Sequence, residues 1–298
     1  MVGELIEIRG KKLYVEEFGL KDKPAVLFLH GGPGESCFDF TFHQSHRLHN
    51  HFRVIAIDQR GVCRSDLIES DEHFCLMDII EDCETLREHL NITKWSLIGH
   101  SFGGYLALLN AATYPTAIHK VIFECPTFDF ELTSRFLLKK TAKIAKKYGN
   151  EDLAKRCIEV AHSKGKSPQQ LTDDYMSLSD ELKENRMEIY RYINDNPTDY
   201  YSAYTEEEWE EFYDRSEVHY DRLRLEGEIF KSLLPKLNEV KHPMLLITAE
   251  HDAATCENHI NAFKQNVEQG FIYHFKGCGH SPHYEDPDHF KQVIIDFL

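Results

Sequence analysis

Gly99-His100-Ser101-Phe102-Gly103 sets a serine between two glycines, directly after the apolar run Trp95-Ser-Leu-Ile98 and before a helical stretch over Phe102–Thr113. A serine on a tight strand-to-helix turn is pushed out of the end of the sheet, and the glycines leave room for that turn. Its hydroxyl is a poor nucleophile at neutral pH, so acyl-transfer chemistry needs a base and an acid to orient it. In chain order the acid is expected before the histidine. Asp252 leaves the apolar run Met244–Ala249 in Ala249-Glu250-His251-Asp252, with Glu250 as the rival acid. Glu250 ends the run directly, which leaves Asp252 freer to reach. His280 lies in the glycine-rich Lys276-Gly-Cys-Gly-His280 after the run Phe271–Phe275. His274 falls within that run, and His283 lies three residues beyond His280.

An oxyanion needs two backbone N–H donors beside the nucleophile. Phe102, at a helix N-terminus, supplies one. The second is expected from His30-Gly31-Gly32-Pro33-Gly34, where Gly32 is the donor and Gly31 and Gly34 support the loop.

The elements that must position these residues are short and nearly all apolar. Ala25–His30, Val54–Ile57, Trp95–Ile98, Val121–Phe123 and Met244–Ala249 read as strands covered on both faces. Glu4–Arg9 and Lys12–Phe18 read as a hairpin turned near Gly10, and Phe271–Phe275 as the last strand. Helical stretches at Met77–Leu90, Phe102–Thr113 and Pro287–Leu298 alternate with them. This order predicts an α/β chain with a mostly parallel, doubly wound eight-stranded sheet. From about Thr127 to Leu234 the strand-like runs stop and polar helical periodicity takes over. The expected division is a sheet domain of 1–126 and 236–298 with a helical cap, 127–235, inserted in it. Asp195–Glu228 carries twelve carboxylates against three arginines, a pattern most simply read as a solvated helix face.

The net charge of −16 argues against nucleic acid or an anionic membrane surface as partner. No transmembrane-length apolar stretch or signal-like leader is visible. The eight scattered cysteines suit reduced thiols and predict a cytoplasmic protein, monomeric or a small homo-oligomer. His43, His46, His49 and His51 cluster without neighbouring cysteine ligands and read as a polar helix and loop, with no metal. Arg60 and Arg64 are expected to brace a loop through Asp58 or Asp66.

Taken together, His30-Gly-Gly-Pro-Gly34, Asp58-Gln-Arg-Gly61 with Arg64-Ser65, the Ser101 turn and Gly279-His280-Ser-Pro-His-Tyr-Glu-Asp-Pro287 resemble the α/β-hydrolase superfamily. Within it, the first two motifs resemble the prolyl aminopeptidase (proline iminopeptidase) group. The resemblance implies the α/β-hydrolase fold, hydrolysis of an ester or amide through an acyl-enzyme, and no cofactor. The implied partner is a small molecule or short peptide. Cys63, His100 and Ala253 depart from the aminopeptidase pattern. Ala253 stands where some such enzymes place an amine-binding carboxylate, so Glu207, Glu208, Glu210 and Glu211 around Trp209 are the expected substitutes. The alternatives are a carboxylesterase, lactonase or C–C bond hydrolase, and a ligand-sensing binding protein that retains the triad.

Overall fold

The computed structural model describes residues 3–192 and 200–298, so Asp195 and Asp199 of the acidic run lie outside the described residues. The first part of the chain folds as β1 (Glu4–Ile8), β2 (Lys11–Phe18), β3 (Ala25–Leu29), α1 (Phe38–Leu48), β4 (Arg53–Ile57) and α2 (Leu76–His89). The centre of the sheet follows as β5 (Trp95–His100), α3 (Phe102–Thr113) and β6 (Ile118–Glu124). Next come α4 (Phe130–Lys147), α5 (Glu151–His162), α6 (Pro168–Asp180) and α7 (Glu206–Glu226). The last elements are β7 (Met244–Ala249), α8 (Glu257–Asn266), β8 (Gly270–Phe275), α9 (Pro282–Glu285) and α10 (Pro287–Phe297).

The eight strands form a single sheet in the order β1-β2-β4-β3-β5-β6-β7-β8. Only β1–β2 and β2–β4 pair antiparallel; the other pairs are parallel. Alternation along each strand splits the core into two layers. Leu27, Leu29, Ile55 and Leu97 face α2 and α3, whereas Val26, Phe28, Val54 and Ile98 face α1 and α10. Strands covered on both sides cannot alternate apolar with polar, which is why β3–β5 read as continuous apolar runs. β8 is different because it is an edge strand, with Phe271 and Ile272 exposed.

Between β6 and β7, α4, α5 and α6 enclose an apolar cluster of their own that includes Leu138, Leu153, Cys157 and Tyr175. Each helix starts at a side-chain cap: Asp129 accepts from the Leu132 N–H, Asn150 from Leu153 and Ser167 from Gln170. α7 begins at a Thr205/Glu208 capping box and stops at the left-handed Gly227. Only His219 and Leu223 of α7 are buried. It docks through the His219 ring on the Arg60 carbonyl at 2.7 Å and through Arg215 on the carbonyls of Cys63 and Ser65.

The loop after β4 is braced by arginines, one as expected and one not. Arg64 meets Asp58 and Glu16, each at 2.6 Å, while Arg60 turns away from Asp58 and Asp66 to Asp82 at 2.7 Å.

Candidate active site

Ser101 stands between the end of β5 and the start of α3 with φ 55°, a backbone region L-residues seldom occupy. Close packing forces the turn. A β-carbon at Gly99 would lie 2.2 Å from the Gly103 carbonyl oxygen, and one at Gly103 would lie 1.9 Å from that of Leu29. Hydrogen bonds hold the strained residue: its N–H donates to the Glu124 carbonyl at 3.0 Å, and its carbonyl accepts from Gly104 at 2.9 Å and Thr127 at 3.2 Å. Strain of this kind persists only where the surroundings over-determine it.

Asp252 and His280 meet where the loops after β7 and β8 converge, with Oδ1 and Nδ1 2.8 Å apart. Asp252 also accepts from the N–H groups of Ala254 and Thr255, at 3.0 and 2.9 Å. Burial works against its charge, but the His280 imidazole and these amides outweigh it and hold the carboxyl below its ordinary value. Burial likewise works against the His280 cation. Asp252 overcomes it, with Glu35 and Glu124 adding to the effect, so the imidazole titrates above its usual value. Glu250, the rival acid, is exposed and accepts from the Gly277 N–H at 2.9 Å instead.

Ser101 and His280 line one cavity of about 480 Å³, together with Gly32, Gly34, His100 and Cys63. Gly32 and Gly34 have φ +105° and +94°, which explains the glycines of this loop. Gly31 has another reason: a β-carbon there would stand 3.0 Å from Ser101 Cβ and 2.9 Å from Glu35 Oε2. Phe102 opens α3, so its N–H is one of the helix's unpaired first-turn donors, beside Ser101. The Tyr190 carbonyl accepts the His280 N–H at 2.6 Å, and it lies 2.3 Å from where a β-carbon at Gly279 would be.

The acidic residues expected to hold an amine are not at the cavity. Glu207, Glu208, Glu210 and Glu211 are all exposed. Glu208 caps α7 through the Thr205 N–H, and Glu211 pairs with Arg215 one turn on. The same helix turns Trp209, Phe212, Tyr213, Ser216 and Tyr220 inward to line the cavity. Helical periodicity explains the split, because side chains three or four apart share a face while their neighbours point away.

Two carboxylates do line the cavity, and sequence reasoning missed both: Glu35 and Asp39. Asp39 is already paired, to His283 at 3.2 Å and His43 at 3.5 Å. Glu35 is open to the cavity yet surrounded by protein, and that burial pushes its carboxyl up, against the pull of His280. It has no hydrogen bond or ion pair among the described residues, and it follows the Gly-Gly-Pro-Gly loop directly, the one local signal of its position.

Two groups among the described residues bring three metal-type ligands together: His73, Cys75 and Asp78, and Cys125, Asp252 and His280. In the first, Asp78 already caps α2 and pairs with Arg9. In the second, Asp252 and His280 bind each other, and burial drives the Cys125 thiol far above its ordinary value. His43, His46 and His49 occupy α1 and its end, with His43 buried against Asp39 and His46 beside Arg47.

Comparison with known proteins extends this picture. A proline iminopeptidase of Xylella fastidiosa (strain 9a5c) is 38% identical over 106 residues, covering 35% of this chain and 33% of that protein. The chain thus matches such relatives over about a third of their length. A proline iminopeptidase-related protein from Thermus thermophilus superposes with TM-score 0.73 at 21% identity, over 100% of this chain and 98% of that one. A meta-cleavage product hydrolase from Pseudomonas fluorescens IP01 superposes with TM-score 0.62 at 17% identity, over 99% and 97% of the two chains. These structural likenesses carry the fold alone. A model of the alpha/beta hydrolase fold matches residues 24–287, and the chain belongs to that family.

Proposed function

We propose that the chain is a serine hydrolase acting through an acyl-enzyme on Ser101, and that its preferred substrates are small amides carrying a free amine next to the scissile carbonyl. The observation that carries the first part is the 2.8 Å Asp252–His280 pair opening on the same cavity as Ser101. His280 takes the hydroxyl proton as Ser101 attacks the carbonyl carbon. Asp252 fixes the imidazole tautomer and stabilises the cation that forms. The N–H groups of Phe102 and Gly32 hold the oxyanion. His280 then protonates the leaving amine, and water repeats the sequence to release the acid. The insertion between β6 and β7 acts as the cap of this site, and the eight unpaired cysteines suit a cytoplasmic setting.

Glu35 supports the amine preference. It lines the same cavity as Ser101 and has no ion pair among the described residues, so a ligand that brings an ammonium group gains a charge-assisted partner there. Trp209 and Tyr213 on the cavity wall add aromatic surface against which such a substrate can pack. The second reading, a neutral-ester or C–C bond hydrolase, draws on the same aromatic lining.

A panel of prolyl and alanyl arylamides, their N-acetylated forms and neutral aryl esters decides between them. Free-amine amides are expected to be cleaved on the order of 100-fold better than acetylated ones. Glu35→Gln should cut kcat/KM on the free amines 10- to 100-fold, about the worth of a charge-assisted contact, and leave neutral esters within about threefold. Preferred cleavage of neutral esters, indifferent to Glu35→Gln, would establish the second reading instead.

A further inference from the structure

The mechanism above leaves unused a buried ionic cluster beside the triad. The His283 N–H donates to Glu124 Oε1 at 2.8 Å, its ring Nδ1 lies 2.9 and 3.0 Å from the two Glu124 oxygens, and Nε2 lies 3.2 Å from Asp39 Oδ2. Glu124 is wholly buried and His283 nearly so. Burial disfavours an imidazolium, but the two carboxylates outweigh it and push His283 up to about 10. The Asp39 carboxyl is held below its ordinary value, because the bond and charge of His283 exceed the effect of burial.

Each member of the cluster belongs to a different arm of the catalytic apparatus. Glu124 ends β6, and its own carbonyl receives the Ser101 N–H. His283 sits in α9, three residues beyond His280. Asp39 lies in the first turn of α1, just after the glycine loop. Gln44 of the same helix adds a second tie, donating to the His283 carbonyl at 2.7 Å. His100 fills the space between, its ring 4.8 Å from His280 and 5.1 Å from His283, with Nε2 3.1 Å from the His280 carbonyl oxygen. Burial drives His100 well below its ordinary value, so it adds no charge.

A buried ion cluster is a poor way to gain stability, since well-packed apolar side chains of similar volume often do as well or better. What the charges add is direction and fixed distance. We propose that Glu124, His283 and Asp39 form a positioning assembly that keys the serine turn, the His280 loop and α1 into one register, and thereby sets the geometry of attack. The proposal rests on Ser101 being the nucleophile, and none of the three residues is itself assigned a chemical step.

The test uses the full chain, a fluorophosphonate that labels active serines, and an aryl ester followed over a range of pH. Labelling of the wild type but not of Ser101→Ala secures the underlying reading. Absence of wild-type labelling would sink that reading, separately from the assembly. Glu124→Gln and His283→Gln, checked for folding by circular dichroism, are expected to lose 10- to 100-fold in kcat with KM within about threefold, as slight misplacement of reacting groups does. Their acid limbs should move apart. The groups facing His280 are Asp252, Glu35, Glu124 and His100, and those facing His283 are Glu124, Asp39, Glu35, His43 and His100, with Arg191 acting on Asp39 and Glu35. Removing the Glu124 charge lowers the limb, whereas removing the His283 cation leaves two unbalanced carboxylates and raises it. A purely structural clip would lower the melting temperature without this opposed displacement. Should the single variants not fold, Asp39→Leu/Glu124→Leu/His283→Leu removes all three charges together and leaves none buried alone. A folded variant of either kind with wild-type kcat and acid limb overturns the proposal.

Discussion

The turn that carries Ser101 and the helix α7 that faces it across the cavity are built on opposite terms. Around Ser101 nearly every atom is prescribed: the Gly99 and Gly103 positions admit no β-carbon, and neighbouring carbonyls and amides hold the strained residue. On α7 only two of the residues from Glu206 to Glu226 are buried, and a row of aromatic rings faces the cavity from an otherwise solvated helix. The difference separates two tasks. Transition-state stabilisation needs donors and bases fixed before the substrate arrives, whereas shape selection needs only a surface that packs. Errors in the first region should therefore appear in kcat, and errors in the second mainly in KM.

The sharpest break of this contrast is Ser101→Ala, which should cost at least about 10⁴-fold in kcat while leaving the protein folded; stopped assays and a melting curve read both. Asp252→Asn should come close to that loss, since the wrong tautomer of His280 is then favoured, again with KM little changed. Next comes Gly103→Ala, whose β-carbon would stand 1.9 Å from the Leu29 carbonyl oxygen. Relief requires moving α3 away from β3, so a drop of several degrees in melting temperature and at least tenfold in kcat is expected. Trp209→Ala on α7 should instead raise KM roughly 5- to 30-fold with kcat within about threefold, because it removes packing area and no reacting group. The smallest effect belongs to Glu207→Gln/Glu210→Gln, expected within about twofold in both parameters on cationic substrates, as for other exposed positions.

The pH profile sharpens the same contrast. The imidazole of His280, proposed as the neutral base, titrates above its ordinary value, so kcat/KM should fall with an acid limb above about 6.5. His283 contributes with a different sign. Its folded value is raised to about 10, so its stabilisation is complete below the unfolded value near 6.5 and is lost as pH climbs through about 10. Unfolding by urea at a series of alkaline pH values would show stability declining across that window, and the decline should vanish in the variant with three leucines.

What could be read from the chain in one dimension was the local and the sequential. The Ser101 turn, the apolar strands β3 to β7 and the order serine–acid–histidine each leave a signature within a few residues, because strain, two-sided burial and chain direction are local constraints. How far each stands beyond the end of its strand was also enough to expect Asp252 and not Glu250 beside His280, the contact found at 2.8 Å. The four carboxylates on α7 were misplaced because a cluster in sequence spans both faces of a helix, and the rotation that turns Trp209 inward turns Glu207, Glu208, Glu210 and Glu211 out. Glu35 leaves no periodic trace at all in its loop.

By itself, then, the sequence determined which residue types stand at the ends of which strands, since a parallel sheet places those ends along one edge. Only the tertiary structure decided which carboxylate shares the cavity with Ser101 and which histidine is bound between Glu124 and Asp39. Those pairings join residues 159 and 244 positions apart, and long-range ion pairs are fixed by packing in three dimensions, with no pattern along the chain to announce them.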